Sequence, residues 1–380
     1  MTLAALALLG LALFDVVRIQ PNRIVAGTGY GTIEALGFWG ASALVIPLGL
    51  VVLLSRVATP RRGRATLLIV TLILTAMPWA ASGVMAVLID TGSQAARGAL
   101  AGGSWVLAFA SLLMVVDLRQ RLAIGWRGMA AVVAAIVGSL VLALGTGALD
   151  SLALVQEYSV RRTAFVDAIL NHLALVGIAV GGSLVVAIGL ALWMRRMPSV
   201  RQGVLGVLSF IQTIPSLALF GLLLAPLAWL ASRYPVLGDL GIQGIGWAPA
   251  LLALVGYSLL PMTRNTFIAL NGVDEAVIEA ARGVGMAPLQ VFFQVRLPLA
   301  LPLLIEGVRI TTVQAIGLTA VAALIGAGGL GTFIFQGLGQ AAMNLVVLGA
   351  LPIVVMAMVV DALLKALADA ARRGESDDRA

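Results

Sequence analysis

"EAARGVGMAPLQVFFQVRLP", residues 279–298, is the least membrane-like stretch in the second half of a strongly apolar chain. From Asn271 onward the pattern is two short helices with a break between them. Asn271 or Asp274 can cap the first, and the acidic residues at its start suit the positive end of a helix dipole. Gly283 and Gly285 end it, since glycine accepts the left-handed conformation of a helix C-terminus. Pro288 can begin the second helix, where its missing N–H costs nothing. Leu297-Pro298 then opens the next apolar run. Ala280, Ala281 and Gly283 keep part of the first helix thin, and Glu279 and Arg282 fall on neighbouring positions. A mere surface hairpin would be shorter than this. A thin, rigid projection of this kind is suited to docking in a groove of a soluble partner.

The rest of the chain says where that projection sits. Of 380 residues, 61% are apolar and only 11% charged, with a mean hydropathy of +1.07. Soluble domains carry about 25% charge, so this is an integral membrane protein. With no Cys, one His (His172) and one Lys (Lys365), the chain has no disulfide framework, no thiol chemistry and no expected metal site. A pI near 10.9 raises nucleic acid as a partner. The basic residues sit in short loops between apolar runs, so membrane topology accounts for them and no nucleic acid is expected.

A spanning helix needs about 20 apolar residues. Runs of that kind fall near 34–55, 65–89, 100–116, 128–147, 170–194, 203–231, 247–262, 299–325 and 343–368, with a shorter one at 2–17. The fold class expected is all-α and polytopic, with about ten transmembrane helices and no regular alternating strands. The short first run lacks a basic flank and a small-residue cleavage site, so it reads as a helix rather than a signal peptide. Loops 56–64, 117–127, 195–202, 263–298 and the C-terminal tail hold 17 of the 24 basic residues. The opposite loops hold six: Arg18, Arg23, Arg97, Arg161, Arg162 and Arg233. By the positive-inside rule the first set and both termini face the cytoplasm.

Residues 148–169 read as an external linker between an accessory bundle, 1–147, and a core, 170–368, followed by a tail at 369–380. The first half has almost no polar residue within a span and reads as a packing or lipid-facing bundle. No sequence repeat relates the halves. The second half carries prolines within spans, an acid–base pair and a glycine cluster. Glu306 and Arg309 lie three apart in one span, where a bare charge costs at least about 2.5–3.5 kcal/mol. They either fix helix packing as an ion pair or belong to the pathway or its gate. Glu306 reads as the only interior carboxylate of these spans. Pro215 breaks a helical hydrogen bond mid-span. Beside Gln212, Thr213 and Ser216 it makes either a hinge at a cavity wall or a bend for packing. His172 reads as a hydrogen-bonded interfacial residue. "GAGGLG", 326–331, has the spacing of a dinucleotide loop, but it follows no strand and no acid lies about 20 residues on. Gly326, Gly328 and Gly329 instead read as a tight turn lining or gating the outer mouth.

The insert resembles the cytoplasmic loop of ABC importer permeases, in which EAA, three residues, G, nine residues, a branched aliphatic, any residue and LP recur. Here Glu279, Ala280, Ala281, Gly285, Val295, Leu297 and Pro298 hold those places. "HLALVGIAVGGSL" (172–184), "IQTIPSLALFGLL" (211–223), "YSLLPMTRNT" (257–266), "LPLALPLLIEGVR" (297–309) and "ALIGAGGLG" (323–331) resemble the permeases of glycine betaine, choline and carnitine importers over roughly 165–368. Residues 1–147 resemble the extra N-terminal helices of the group's longer members.

The resemblance implies a type I importer core of five helices in the inner membrane, coupled through Glu279 and its neighbours to separate ATPase subunits. It also implies a second permease subunit, either this chain or a paralogue. ATP and Mg would belong to the ATPase, and this chain would bind no cofactor. A P-loop needs a Lys after its glycines, and Lys365 sits in "ALLKALA", so no ATPase activity is expected here. The chain ends without an extracellular domain, so a separate binding protein is expected to capture substrate. Gln212, Thr213, Ser216 and Tyr257 would supply a mild polar lining for a quaternary amine. An importer of methionine or another amino acid is the alternative. An ion-coupled transporter would show more carboxylates at mid-span, and a membrane enzyme would show H-E-x-x-H, G-x-S-x-G or paired nucleophile and base.

Overall fold

The computed structural model describes residues 1–22, 25, 27–56, 59–89 and 96–377, the last five without their side chains. Arg23, counted above among the outer basic residues, and the end of the C-terminal tail lie outside the described residues. The chain divides into two compact units, Met1–Val160 and Arg161–Ala380.

The first unit runs α1 (Thr2–Leu13), β1 (Val17–Gln20), β2 (Thr28–Tyr30), α2 (Thr32–Leu54), α3 (Pro60–Leu88), β3 (Arg97–Leu100), α4 (Gly102–Arg121), α5 (Trp126–Gly145) and α6 (Ala153–Val160). Thr59 starts α3 by accepting from the Arg62 N–H, with Pro60 at the first position. Of the residues of α5 only Ala143 is buried, as suits a helix that turns most of its circumference to lipid. The three strands form a small antiparallel sheet in the order β2-β1-β3, with Val17 opposite both Tyr30 and Leu100. Sequence patterning missed this sheet because three or four residues are too few to show alternation. The stretch 148–169, expected as an external linker, carries α6 and the start of the helix that follows it, and the boundary between the two units falls within it. Leu149 and Leu152 are buried with Ala81, Met85 and Ala143, and Ala153 is also buried. Glu157, 5% exposed, pairs with Arg97 at 3.2 Å.

The second unit begins with α7 (Arg162–Arg196), 35 residues long. At 1.5 Å per residue this is about 50 Å, well beyond a hydrocarbon layer of about 30 Å, so its ends extend past the core of the membrane. There follow α8 (Arg201–Thr213), α9 (Ser216–Arg233), α10 (Pro235–Asp239), α11 (Trp247–Asn271), α12 (Glu275–Gly283), α13 (Pro288–Gln290), α14 (Leu297–Ala322), α15 (Gly331–Gly339) and α16 (Met343–Asp377). The run 203–231 is two helices, α8 and α9, broken at Pro215.

Among the described residues, eight helices are long and apolar enough to cross a membrane. The shorter apolar α1 and the 25-residue α11 complete the set that corresponds to the ten apolar runs. The protein is an all-α polytopic membrane protein with a minor sheet.

α7, α11, α14 and α16 form the packed centre of the second unit. Lipid tails are as apolar as leucine, so burial alone does not hold such helices together, and close backbone approach through small residues does. α7 supplies that at Ala179, Ser183, Ala187 and Ala191, each at most 1% exposed and spaced by four. Ala179 packs in one cluster with Ala250, Ala253 and Leu254 of α11. Ala179→Leu is expected to cost about 1–3 kcal/mol by overpacking. This would be read as a lowered midpoint of thermal unfolding in detergent. Val185→Leu, at a site 73% exposed, is the control expected to leave the midpoint unchanged. Equal midpoints for both would refute the packing account.

Candidate functional site

The insert is built from α12, a glycine turn and a helical return that runs straight into α14. Asp274 caps α12, accepting from the Ala276 N–H at 3.0 Å. The turn that ends it rests on Gly285 alone, at φ 87, while Gly283 is still helical. The Met286 N–H closes the turn on the Ala281 carbonyl at 3.2 Å. Pro288 starts the return as expected, but no break separates the return from the span. Val291–Arg296 is a π-helical segment that passes directly into α14. Pro298 explains the wider turn, because it donates no hydrogen bond and its ring crowds the preceding turn.

One side of the insert is anchored. Ile278, Ala281, Val291 and Ala300 are buried with Ala191 of α7 and Ala269 and Leu270 of α11, and Val295 and Leu297 pack against them. Arg296, only 3% exposed, donates to the Leu270 carbonyl at 2.9 Å and meets Glu275 at 3.5 Å. Arg282 pairs with Glu275 at 3.7 Å, not with Glu279 as its spacing promised. The other side is free. Glu279, Ala280 and Gly285 are exposed, and so are Val284, Leu289 and Phe293 at 81%, 71% and 60%. The motif residues thus divide into an outward group (Glu279, Ala280, Gly285, with Pro298 exposed at the start of α14) and an anchoring group (Ala281, Val295, Leu297).

The remaining expected residues fall in three places. At the Pro215 break, the Ile214 carbonyl has lost its helical partner and accepts from the Tyr257 hydroxyl. Gln212 donates back to the Tyr257 carbonyl at 2.8 Å. Tyr257 is 7% exposed and so ties α11 to the break, where a polar lining was expected. Thr213 donates to Phe210 within its own helix, and Ser216 begins α9.

At the far end of α14, Gly326, Gly328 and Gly329 all have φ near 80, which L side chains rarely adopt. A Cβ at Gly328 would collide with the Asn171 amide. Asn171 donates to the Ala327 carbonyl at 2.8 Å, and the Gly246 N–H donates to Ile325 at 2.8 Å. His172 was expected at the interface but is fully buried, its Nε2 3.1 Å from the Ile316 carbonyl. Its place on the inner face of α7 decides this, because the ring turns into the bundle rather than outward.

Glu306 and Arg309 do pair, at 3.0 Å. They lie roughly 25–30 Å along the helix from the glycine turn. Glu306 is not the only interior carboxylate. Asp361 of α16 meets the Arg309 Nε at 3.3 Å, so one guanidinium serves two acids and joins α14 to α16. Among the described residues no group of three His, Asp or Glu side chains gathers as a metal site would.

Residues 183–373 match the family described as "Binding-protein-dependent transport system inner membrane component". The chain belongs to this family. It is a permease subunit of an ABC importer, a multi-pass protein of the inner membrane. Residues 1–155 match a second description, "ABC transporter permease YehY, N-terminal domain".

The permease is 39% identical over 197 residues to the osmoprotectant import permease OsmW of Salmonella typhimurium, covering 52% of this chain and 86% of that one. It is 39% identical to the carnitine transport permease OpuCB of Listeria monocytogenes, over 50% of this chain and 80% of that one. It is 36% identical to the choline transport system permease OpuBB of Bacillus subtilis, over 51% and 82%.

Sequence reasoning missed Glu275, Asn171, the burial of Arg296 and the role of Asp361 in the permease. Asp361 was visible as a lone acid within an apolar run. The other three look like ordinary loop or helix-end polar residues until the partner element is placed beside them. The shared guanidinium carries a measurable consequence. Arg309→Met leaves two carboxylates within the spans without a cation, and is expected to destabilise the permease by roughly 1–3 kcal/mol. The cost sits toward the low end because Asp361 is half exposed. Adding Glu306→Gln and Asp361→Asn should restore most of the thermal midpoint. Failure of that rescue would show that Arg309 acts by packing instead.

Proposed function

We propose that the permease, with a second permease subunit, forms the path of an ATP-driven importer for glycine betaine and related quaternary amines. The observation that carries the coupling is the insert, whose anchored side is tied to α7, α11 and α14 while its outward side is bare. Glu279, Ala280 and Gly285 enter a cleft of the ATPase subunit. Ala281, Val295 and Leu297 hold that helix rigidly to the spans, and Pro298 opens the span that follows, so displacement of the helix moves them. ATP and Mg stay on the ATPase and no cofactor belongs to this chain. A binding protein outside the membrane delivers the solute. Residues 1–147 are an accessory bundle to the core at 170–368.

The substrate class follows from the names of the relatives and from charge. A quaternary amine keeps its cation at every pH, so an isolated carboxylate along the path would trap it. Arg309 engages both Glu306 and Asp361, which leaves neither acid free. The Pro215 break, clamped by Gln212 and Tyr257, supplies the hinge of the path. The turn at Gly326, Gly328 and Gly329 gates its outer mouth.

The test is reconstitution with the cognate ATPase and binding protein, followed by uptake of glycine betaine, choline, carnitine and methionine. Quaternary-amine uptake is expected, and methionine uptake alone would overturn the substrate class. In the same preparation Gly285→Trp should abolish uptake and substrate-stimulated ATP hydrolysis while the subunit still inserts. Ala280→Trp reaches the same surface from an ordinary helical residue, without backbone strain. Normal coupled hydrolysis in both variants would remove the insert from the coupling role.

The bias of basic residues places both termini and the insert in the cytoplasm. Cysteines introduced into this Cys-free chain at the exposed Ser159 and Ser199 test it with an impermeant thiol reagent on intact cells. Labelling at Ser159 but not Ser199 is expected, and the reverse pattern would invert the topology.

A further inference from the structure

Along the boundary between the insert's anchored and free sides the structure holds more positive charge than its own ion pairs use. A cavity of about 510 Å³ opens there. Arg195 and Arg196 from the last turn of α7, Arg282 of α12 and Arg296 of the π-helical segment line it, with Leu289 and Phe293 among its apolar walls. Glu275 is the one carboxylate engaged with these four guanidiniums, and it is occupied by Arg282 and Arg296. Among the described residues Arg195 and Arg196 form no ion pair within 4 Å, and the charge of the already shared Glu275 reaches Arg195 only at longer range. Like charges gathered in a partly desolvated cavity repel one another, and an anion among them relieves that repulsion. Planar guanidiniums grip phosphate oxygens in bidentate pairs.

The setting distinguishes a lipid from a free ion. The cavity lies where α7 leaves its membrane span, beside the half-exposed Trp193, and aromatic side chains of this kind mark the membrane–water boundary. A free phosphate would use the cations and leave Leu289 and Phe293 without a role. A phospholipid uses both, its phosphate among the arginines and its glycerol and upper acyl chains along the apolar wall. Basic pockets at the ends of spans take such headgroups.

We propose that this cavity binds the headgroup phosphate of an anionic phospholipid from the leaflet on the insert's side. The bound lipid then bridges the end of α7 to the insert, so membrane charge bears directly on the element that moves against the spans. The site rests on the membrane fold and the charge of the cavity, and stands whatever solute the permease carries.

The full chain is purified and examined by native mass spectrometry in mixed micelles containing phosphatidylglycerol or phosphatidylcholine. The wild type should retain phosphatidylglycerol in preference to phosphatidylcholine. Arg195→Gln with Arg196→Gln should retain it roughly 30-fold less, the order expected for two cations near an anionic headgroup. Arg195→Lys with Arg196→Lys should retain most of it. Arg282→Gln, at an exposed position, is a second variant should the double variant fold poorly. Equal retention of the two lipids, or unchanged retention in the Gln variants, would overturn the site. Thermal stabilisation by inorganic phosphate as large as that by phosphatidylglycerol would reassign it to a free anion. Intact lipid retention with lost assembly onto the ATPase would reassign the arginines to an acidic face of that partner.

Discussion

Lipid offers no hydrogen-bond partner, so each backbone group freed within the spans must find one in the protein. The second unit meets that demand wherever its helices are interrupted. Pro215 frees the Ile214 carbonyl, and Tyr257 reaches across from α11 to take it. The turn after α14 frees carbonyls at Ile325 and Ala327, which the Gly246 N–H and the Asn171 amide satisfy. The end of α11 leaves the Leu270 carbonyl, and Arg296 donates to it from the insert. Each interruption is thereby tied to a neighbouring helix. The places where the chain departs from regular helix are also where its elements are cross-linked.

This has a mechanical consequence. A break clamped from a second helix moves with that helix, and an insert anchored by Arg296 and by Ile278 moves with α7, α11 and α14. The small residues along α7 let the backbones approach closely, so displacement of one span is felt by the next. The outward side of the insert bears no such ties. The coupling role proposed for the insert rests on that asymmetry, one side held and the other free.

Charge within the spans obeys a similar economy. Arg309 answers two carboxylates on two helices, with a third to a half of each acid's surface left exposed. In the first unit, Arg97 and Glu157 do the same for β3 and α6 in a drier setting. At the insert the balance differs: four arginines, Arg195, Arg196, Arg282 and Arg296, line one cavity and share the single carboxylate of Glu275.

Periodic and chemical signals along the chain were enough for the membrane class, for the positions of ten apolar helices and for the insert. A 20-residue apolar run has few alternatives in lipid, and Asp274, Gly285 and Pro288 are local devices that act through adjacent backbone. The family motif was legible because its seven residues lie within one 20-residue stretch. What tertiary structure alone decided were pairings between distant residues: Tyr257 with Ile214, Asn171 with Ala327, Arg309 with Asp361, and Arg282 with Glu275 rather than Glu279. It also decided that 148–160 packs into the first unit and that three short strands pair there. These depend on which helix faces which, and in lipid that is set by the fit of small residues and the satisfaction of stray polar groups, neither of which shows as a period in the sequence.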